Sequence, residues 1–331
     1  MHRLFLLLLA FTCTASFSQQ RFQYTQAKMG SPFHLVFYAP DSAGAATLAR
    51  QAFELVDSLN AVFSDYLETS ELNRLNETAG SGRSVPVSPS LFALLLQSQK
   101  AAGKSEQAYD ITIGPLSRLW RSARKNKRFP SQADVLEAKK TVGIKNMVLD
   151  TAKNEARLLK AGMRLDLGGI AKGHIAQKVV DYLKDKGIAS ALADAGGDLA
   201  CTDAPPGKKG WTVGINVPES ETGLLAETIT ISNSAVATSG DVYQYMEYNG
   251  KRYSHIIDPR TGYGVQFQRN VTVVAPDGAT ADWLATACSI LPLASCRKLV
   301  QRCNAQLLIT QLHNNHVSYF MTDEMRSRLN P

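Results

Sequence analysis

Cysteine is scarce in this chain, with five residues among 331. One of them, Cys13, lies in the apolar N-terminal segment, and the others are Cys201, Cys288, Cys296 and Cys303. Four cysteines are too few for a disulfide scaffold in a chain of this length, and no C-x-x-C pair is present to hold zinc. We therefore expect buried or unpaired thiols, and the sequence does not indicate which pair would form a bridge.

Signatures of several enzyme classes are also missing. The serines are not set in a G-x-S-x-G elbow, and the histidines form no H-E-x-x-H motif. The glycine-rich stretch Leu165–Gly173 is not a Walker A loop, because Lys172 precedes Gly173 and no Lys-Ser/Thr follows, and it does not match G-x-G-x-x-G. The sequence therefore gives no support to a serine hydrolase or a zinc enzyme.

Long apolar runs are absent beyond the N-terminus. The basic start Met1–Arg3 precedes the apolar run Leu4–Phe11, and Ser16–Ser18 offers small residues for cleavage. This is the layout of a secretory signal, since the run is far too short to span a bilayer. We predict a signal peptide over residues 1–18 and a single domain over residues 19–331.

A lipid anchor is the alternative to simple cleavage. It would use Cys13, but Phe11 and Thr12 stand before it, where a lipobox prefers small residues. Cleavage is therefore favoured, and no later segment has enough consecutive apolar residues for a membrane helix. We expect an exported, periplasmic protein without a transmembrane segment.

Acidic residues are fewer than basic ones, 29 Asp+Glu against 36 Lys+Arg, which gives a formal net charge of +7. Such a balance raises the question of a nucleic-acid partner. The densest basic cluster has no interleaved aromatic residues and matches no nucleic-acid motif, so we interpret it as a solvated helix end. The cluster comprises Arg121, Arg124, Lys125, Lys127 and Arg128. We expect no nucleic-acid partner.

The hydrophobic patterns predict an α+β fold with mixed or antiparallel sheets flanked by helices. Strand-rich and helix-rich segments are mixed without the regular alternation of a doubly wound sheet, although residues 163–193 are predicted to form a β-α-β-like unit. Asn249–Gly250 is a strong two-residue hairpin signal, and a final hairpin is expected to turn at Asn314–Asn315. Strands are predicted over 32–39, 163–167, 188–193, 211–217, 226–232, 243–248, 252–257 and 270–275, and helices over 42–63, 90–104, 170–186 and 279–292.

The stretch Leu165–Gly173 (LDLGGIAKG) suits an anion. It places Gly168 and Gly169 where a helix begins, so that free backbone N–H groups and the helix dipole favour a phosphate. Lys172 adds a positive charge one turn into the helix. A purely structural turn is equally consistent with these residues.

The stretch Pro276–Thr286 (PDGATADWLAT) suits a hard cation. A Pro-Asp-Gly turn leads into a helix on which Asp282 and Thr286 are four residues apart and so face the same side. A carboxylate and a hydroxyl are ligands that Mg²⁺ accepts while keeping several waters. The structural alternative is that Thr280 caps the helix and Asp282 complements its dipole.

The stretch Tyr253–Gly262 (YSHIIDPRTG) alternates like a strand and ends in a turn. His255 is a candidate proton acceptor, because an imidazole titrates near neutral pH. A lone histidine is nevertheless more often structural than catalytic.

These three stretches, in this order, resemble the ApbE family of FAD:protein FMN transferases. The similarity extends to Gln107–Leu116, Ala193–Leu199 and Ala237–Asp241, and the signals run from about Met29 to Leu291. The resemblance implies a single compact ApbE-like domain related to the T-fold. It also implies an exported or lipid-anchored protein, which agrees with the signal peptide.

The resemblance implies a reaction as well. Family members use Mg²⁺ and FAD to attach FMN through a phosphoester bond to a Thr or Ser of a target protein, with release of AMP. Their targets include subunits of sodium-pumping NADH:quinone reductases and related redox complexes. An FAD pyrophosphatase that releases free FMN and a non-catalytic flavin-binding protein are the alternative functions.

The resemblance assigns roles by motif position. His255 matches the proposed general base, and Asp282 and Thr286 match the side-chain metal ligands, with Gly169 completing the site through its backbone carbonyl. Two positions depart from the family pattern: Asp194 stands where Asn is common, and Val242 is an insertion. The implied FAD contacts are Met29, Tyr66, Ala108, Tyr109, Asp110, Asp166, Lys172 and Ile257.

Overall fold

A computed structural model describes residues 19–216, 224–240, 244–313 and 316–330. The α-helices in these ranges are α1 (Ser42–Phe63), α2 (Glu71–Glu77), α3 (Pro89–Lys104), α4 (Gly114–Asn126), α5 (Gln132–Lys139), α6 (Ala171–Asp185), α7 (Gly278–Cys288), α8 (Leu293–Arg302) and α9 (Asp323–Arg326). The strands are β1 (Gln20–Lys28), β2 (Ser31–Ala39), β3 (Val85–Pro86), β4 (Met147–Asp150), β5 (Glu155–Leu158), β6 (Ala191–Asp194), β7 (Leu199–Cys201), β8 (Trp211–Asn216), β9 (Leu224–Ile231), β10 (Ser234–Gly240), β11 (Tyr245–Tyr248), β12 (Lys251–Ser254), β13 (Gln268–Ala275), β14 (Gln306–His313), β15 (His316–Met321) and β16 (Leu329–Asn330).

An eight-stranded antiparallel sheet forms the centre of the fold, with strand order β1-β2-β6-β7-β10-β13-β14-β15. Its inner strands, such as β13, are buried on both faces, to which successive side chains point in turn. On β13, Val271 and Val273 belong to one hydrophobic cluster and Val274 to another. The predicted α+β class with antiparallel sheets is confirmed.

The two faces of this sheet are covered differently. Helices α1, α6 and α7 pack on one face, where Phe37, Val179 and Leu284 are fully buried. The small sheet β16-β9-β8 covers the other face, with Trp211 and Ile229 packed against the sheet residues. The result is a helix–sheet–sheet arrangement with the large sheet in the middle.

A third hydrophobic cluster joins α4 to the segment that carries His255. Trp120 of α4 is fully buried, and its indole N–H donates a 2.9 Å hydrogen bond to the carbonyl of Gly262. Its ring stacks on Tyr253 of β12 at a centroid distance of 5.9 Å. This packing holds the polar face of α4 beside His255.

Two glycines set the distance between α6 and α7. A Cβ added to Gly173 would lie 2.1 Å from the carbonyl oxygen of Gly278, and a Cβ on Gly278 would lie 2.0 Å from the carbonyl oxygen of Gly173. Real Cβ atoms do not approach backbone this closely. The N-terminal turns of the two helices are therefore in direct main-chain contact.

Most predicted elements are present. Asp41 caps α1 by accepting from the N–H of Gly44, as expected. Asn249 and Gly250 have φ values of 48° and 70°, the left-handed pair that a tight β11–β12 hairpin requires. The turn predicted at Asn314–Asn315 lies outside the described residues.

Two local predictions are wrong. Residues 163–167 are not a strand, so the β-α-β-like unit does not form. The N–H of Leu165 instead donates to the side chain of Asn76, and the N–H of Asp166 donates to the carbonyl of Ile111. The cap of α7 is Asp277 rather than Thr280, because the Asp277 carboxylate accepts from both the N–H and the hydroxyl of Thr280.

The described cysteines agree with the expectation of buried or unpaired thiols. Cys201, Cys288, Cys296 and Cys303 are all unpaired, and the first three are buried. In the part of the chain that is described, no helix has both the length and the apolar character needed to cross a bilayer.

The glycine contact makes a prediction about stability. Gly173→Ala should lower the free energy of unfolding by about 3 kcal/mol or more, because overpacking against backbone leaves no flexible neighbour to move. The matched control is Gly103→Ala in α3, where an added Cβ meets nothing within 4 Å. That change should stabilise by roughly 0.5–1 kcal/mol. Urea denaturation compares the two, and equal midpoints for Gly173→Ala and the parent would contradict the contact.

Candidate functional site

A cavity of about 830 Å³ lies between the helical layer and the loops at its edge. All the residues assigned by the family resemblance line it, although they come from distant parts of the chain. They are Met29, Tyr66, Ala108, Tyr109, Asp110, Asp166, Gly169, Lys172, His255, Ile257, Asp282 and Thr286. The structure thus brings the whole predicted set together, while their individual roles stay predictions.

The residues predicted to hold the metal lie where α6 and α7 meet. Asp282 is buried, and one of its carboxylate oxygens accepts a 3.1 Å hydrogen bond from the N–H of Gly173. A Cβ on Gly169 would lie 2.7 Å from the Thr286 hydroxyl, so only glycine lets the main chain approach that oxygen. Asp282, Thr286 and the Gly169 backbone therefore converge.

A second carboxylate, that of the half-buried Asp198, lines the same cavity. Burial raises its pKa to about 7, with a further rise from Asp194 and an opposing effect of Lys172. Burial, and then the charge of Asp198, raises the pKa of Asp282 well above its usual range. The two carboxylates therefore repel each other in a site shielded from water.

These groups fit Mg²⁺. The described residues contain no group of three or more His, Cys, Asp and Glu side chains placed to hold a metal. The expected set is instead a carboxylate, a hydroxyl and a carbonyl, the hard oxygens that Mg²⁺ combines with retained waters. A cation here would offset the repulsion between Asp198 and Asp282.

The sequence assigns no role to Asp198, although this residue lies in the Ala193–Leu199 motif. In that motif Asp194 accepts a 2.7 Å hydrogen bond from the N–H of Gly197 and so shapes the turn. Gly196 and Gly197 have φ values of 77° and 104°, which L side chains rarely adopt. The glycine pair in front of Asp198 was the available signal.

His255 lies at another part of the cavity wall. Its Nδ1 is 3.2 Å from the carbonyl oxygen of Gln244, which only accepts, so Nδ1 carries the proton and Nε2 is left as an acceptor. Burial, and then the charge of Arg124, lowers the pKa of His255 to about 4. The imidazole is therefore neutral at pH 7, as a general base must be.

The basic cluster at the end of α4 is divided between the cavity and the surface. Arg121 and Arg124 line the cavity, whereas Lys125, Lys127 and Arg128 are exposed. The prediction of a solvated helix end is thus wrong for the two arginines. They lie three residues apart on one face of α4, which the docking of Trp120 turns toward the cavity.

Arg121 is held by carboxylates. It forms ion pairs with Asp65 and with Asp166, the latter at 3.0 Å, and its guanidinium lies 4.2 Å from the centre of the Tyr66 ring. Burial, followed by Asp166, raises the pKa of Asp65 to about 6 against the effect of Arg121. Asp166 and Tyr66, two of the assigned FAD contacts, are therefore tied to one guanidinium.

The other assigned FAD contacts form the apolar and loop walls. Met29 has a φ of 51° in the β1–β2 turn, and Tyr109 is buried with its ring 6.1 Å from that of Trp283. The carboxylate of Asp110 accepts from the N–H groups of Thr112 and Ile144, so it orders the loop.

Because of the raised pKa of Asp198, we predict that the stability of the metal-free protein depends on pH. The pKa of Asp198 is higher in the folded than in the unfolded chain, so the free energy of unfolding falls as pH rises from about 4 to about 7. Asp198→Asn should therefore stabilise the metal-free protein at both pH values, by roughly 1–3 kcal/mol more at pH 8 than at pH 5. Urea denaturation in EDTA at both pH values measures this.

The matched control is Asp185→Asn, an exposed carboxylate at the end of α6. It should change stability by under about 0.5 kcal/mol and equally at both pH values. An Asp198→Asn protein no more stable than the parent at pH 8 would show that the carboxylate is not strained there.

Comparisons with known proteins identify the family. Residues 29–309 match the model of the ApbE family. The chain is 32% identical to the FAD:protein FMN transferase of Klebsiella pneumoniae (strain 342), covering 85% of this chain and 86% of that protein. It is 30% identical to that of Haemophilus influenzae, covering 88% and 86%. The crystal structure of the ApbE protein from Thermotoga maritima superposes with a TM-score of 0.83 at 28% identity, covering 93% of this chain and 99% of that one. The chain belongs to the ApbE family.

Proposed function

We propose that this protein transfers FMN from FAD to a Thr or Ser hydroxyl of a target protein and releases AMP, with Mg²⁺ as cofactor. The protein is a transferase, in keeping with the names of its relatives. One observation carries the detailed proposal: a single cavity combines an oxygen ligand set for a hard cation with a neutral histidine that has a free acceptor nitrogen.

Different cavity residues have different roles in phosphoryl transfer. Asp282, Thr286 and the Gly169 carbonyl would hold Mg²⁺, which when bound neutralises pyrophosphate charge. Lys172, the second residue of α6, adds a positive charge to the same cavity. His255 Nε2 accepts the proton of the acceptor hydroxyl, whose oxygen attacks the riboflavin-side phosphorus. The phosphoanhydride bond breaks, and its electron pair leaves with AMP.

The walls of the cavity position the flavin nucleotide. Tyr66, Tyr109 and Met29 offer aromatic and polarisable surface for a planar ring. The Arg121–Asp166 pair fixes the orientation of the polar groups beside Tyr66. Fixed groups of this kind orient the substrate and lower the entropic cost of reaction.

Two alternatives use the same cavity. An FAD pyrophosphatase would have water take the place of the acceptor hydroxyl, and a flavin-binding protein would need the FAD contacts without the metal ligands. Retention of a ligand set and of a free His255 nitrogen favours catalysis over storage. The transfer is favoured over hydrolysis by the names of the relatives.

The test is incubation with FAD, Mg²⁺ and a recombinant acceptor subunit of a sodium-pumping NADH:quinone reductase. AMP and FMN-modified acceptor should form in equal amounts, measured by chromatography and mass spectrometry. Asp282→Ala should reduce AMP release by more than about 100-fold, whereas Asp185→Ala should leave it unchanged. FMN found only in solution would establish the pyrophosphatase, and FAD binding without AMP would establish the flavin-binding protein.

We also propose that residues 1–18 direct export to the periplasm and that residues 19–331 act there as one transferase domain. The support is the basic start, the short apolar run and the small residues before Gln19. Expression in a Gram-negative host, followed by fractionation and N-terminal sequencing, should give a periplasmic protein that begins near Gln19. A full-length cytoplasmic product would refute the signal, and a lipid-modified Cys13 would establish the anchor.

A further inference from the structure

Arg124 is a cavity residue to which neither the family resemblance nor the comparisons assign a role. It lies on α4, half-buried, three residues after Arg121. Across the described ranges its guanidinium makes no hydrogen bond and no ion pair with another side chain or with the backbone. A guanidinium has five N–H donors and stays charged, so leaving it unpaired in a partly buried site costs free energy.

The other Arg and Lys side chains that line the cavity, Arg121 and Lys172, act on carboxylates, and of the two Arg121 forms ion pairs in the described ranges. Arg121 is paired with Asp65 and Asp166. Lys172 acts on the carboxylates Asp198 and Asp282, lowering the pKa of each. Arg124 differs from both, because it forms no ion pair in the described ranges and the charged groups that act on its pKa are Arg121 and Tyr66, not a carboxylate.

The surroundings of Arg124 oppose its charge. Burial, and then the like charge of Arg121, lowers the pKa of Arg124, although not enough to deprotonate an arginine. Two guanidinium groups on one helix face repel each other unless an anion lies between or beside them. An anionic ligand at this point would remove the repulsion.

The relation between Arg124 and His255 indicates which anionic group Arg124 would bind. Of the charged side chains, Arg124 has the largest effect on the pKa of His255, ahead of Lys172 and Arg121. Arg124 and His255 line the same cavity, and the charge of Arg124 acts on the group that receives the acceptor proton. The anion closest to that proton is the phosphoryl group under attack.

We propose that Arg124 binds the riboflavin-side phosphoryl group of FAD and stabilises the negative charge that its non-bridging oxygens gain during transfer. The inference rests on the proposed function. A planar guanidinium matches two phosphoryl oxygens with parallel N–H donors. In the step, the acceptor oxygen forms the new ester bond, its proton moves to His255, and AMP leaves with the electron pair of the broken anhydride bond.

The experiment compares the parent with Arg124→Ala, Arg124→Lys and, as a matched control, Lys125→Ala. Lys125 carries the same charge on the same helix but is exposed. Each protein is assayed with FAD, Mg²⁺ and the reductase acceptor subunit for AMP release, and FAD binding is measured by flavin fluorescence. We expect Arg124→Ala to lose about 100-fold or more in kcat with a much smaller loss of FAD affinity.

Three readouts separate a phosphoryl contact from a structural role. Free guanidinium should partly rescue Arg124→Ala, and Arg124→Lys should keep part of the rate as a point charge. Slow FAD hydrolysis without acceptor should fall in parallel with transfer. The pKa of His255, followed by NMR of labelled histidine and assigned with His255→Gln, should rise in Arg124→Ala, while the charges of Arg121 and Lys172 remain.

Two results would overturn the proposal. One is an Arg124→Ala protein with parental kcat. The other is an increase confined to the KM for the acceptor with unchanged FAD hydrolysis, which would place an acidic group of the acceptor on Arg124. Failure of the proposed function is distinguishable, because the parent itself would then form no FMN-modified acceptor.

Discussion

The close approach of Gly173 and Gly278 is the constraint on which the site depends. It brings the first turns of α6 and α7 into main-chain contact, so that Gly169 and Lys172 on one side meet Asp282 on the other. Side chains at the two glycines would separate the helices and draw Thr286 away from the Gly169 backbone. The ligand geometry is therefore a consequence of helix packing, and its precision comes from rigid elements rather than loops.

The same packing creates an unfavourable arrangement that the fold must sustain. Asp198 lies close enough to the buried Asp282 to oppose its ionisation, and Lys172 compensates only in part. Such an arrangement lowers the stability of the metal-free protein, and it is typical of sites built to bind a cation. The extensive hydrophobic core between the large sheet and helices α1, α6 and α7 offsets the destabilisation caused by the two carboxylates.

The sequence predicts those parts of the fold and of the site that depend on residues close together in the chain. The cap at Asp41 and the Asn249–Gly250 turn follow from neighbouring residues, and the motif order identified residues that do meet in one cavity. Residues 163–167 were misassigned because the partner of Leu165 is Asn76, far away in sequence. Arg124 was missed because a basic helix end looks solvated until Trp120 docks and fixes which face turns inward.

The cavity keeps its unpaired charges apart, and that separation explains why they persist. Burial is the largest cause of both pKa shifts; the pKa of Asp282 is then raised by Asp198, and that of His255 is lowered by Arg124, with smaller effects of Lys172 and Arg121. If the free arginine lay beside the buried carboxylates, the groups would pair and neither would be available to a ligand. Attachment to different elements, α7 and α4, prevents this pairing. A substrate that carries a pyrophosphate and binds together with a cation would place the cation on the carboxylates and the pyrophosphate on Arg124. The charges that are unpaired in the free protein are therefore the ones that the bound complex would neutralise.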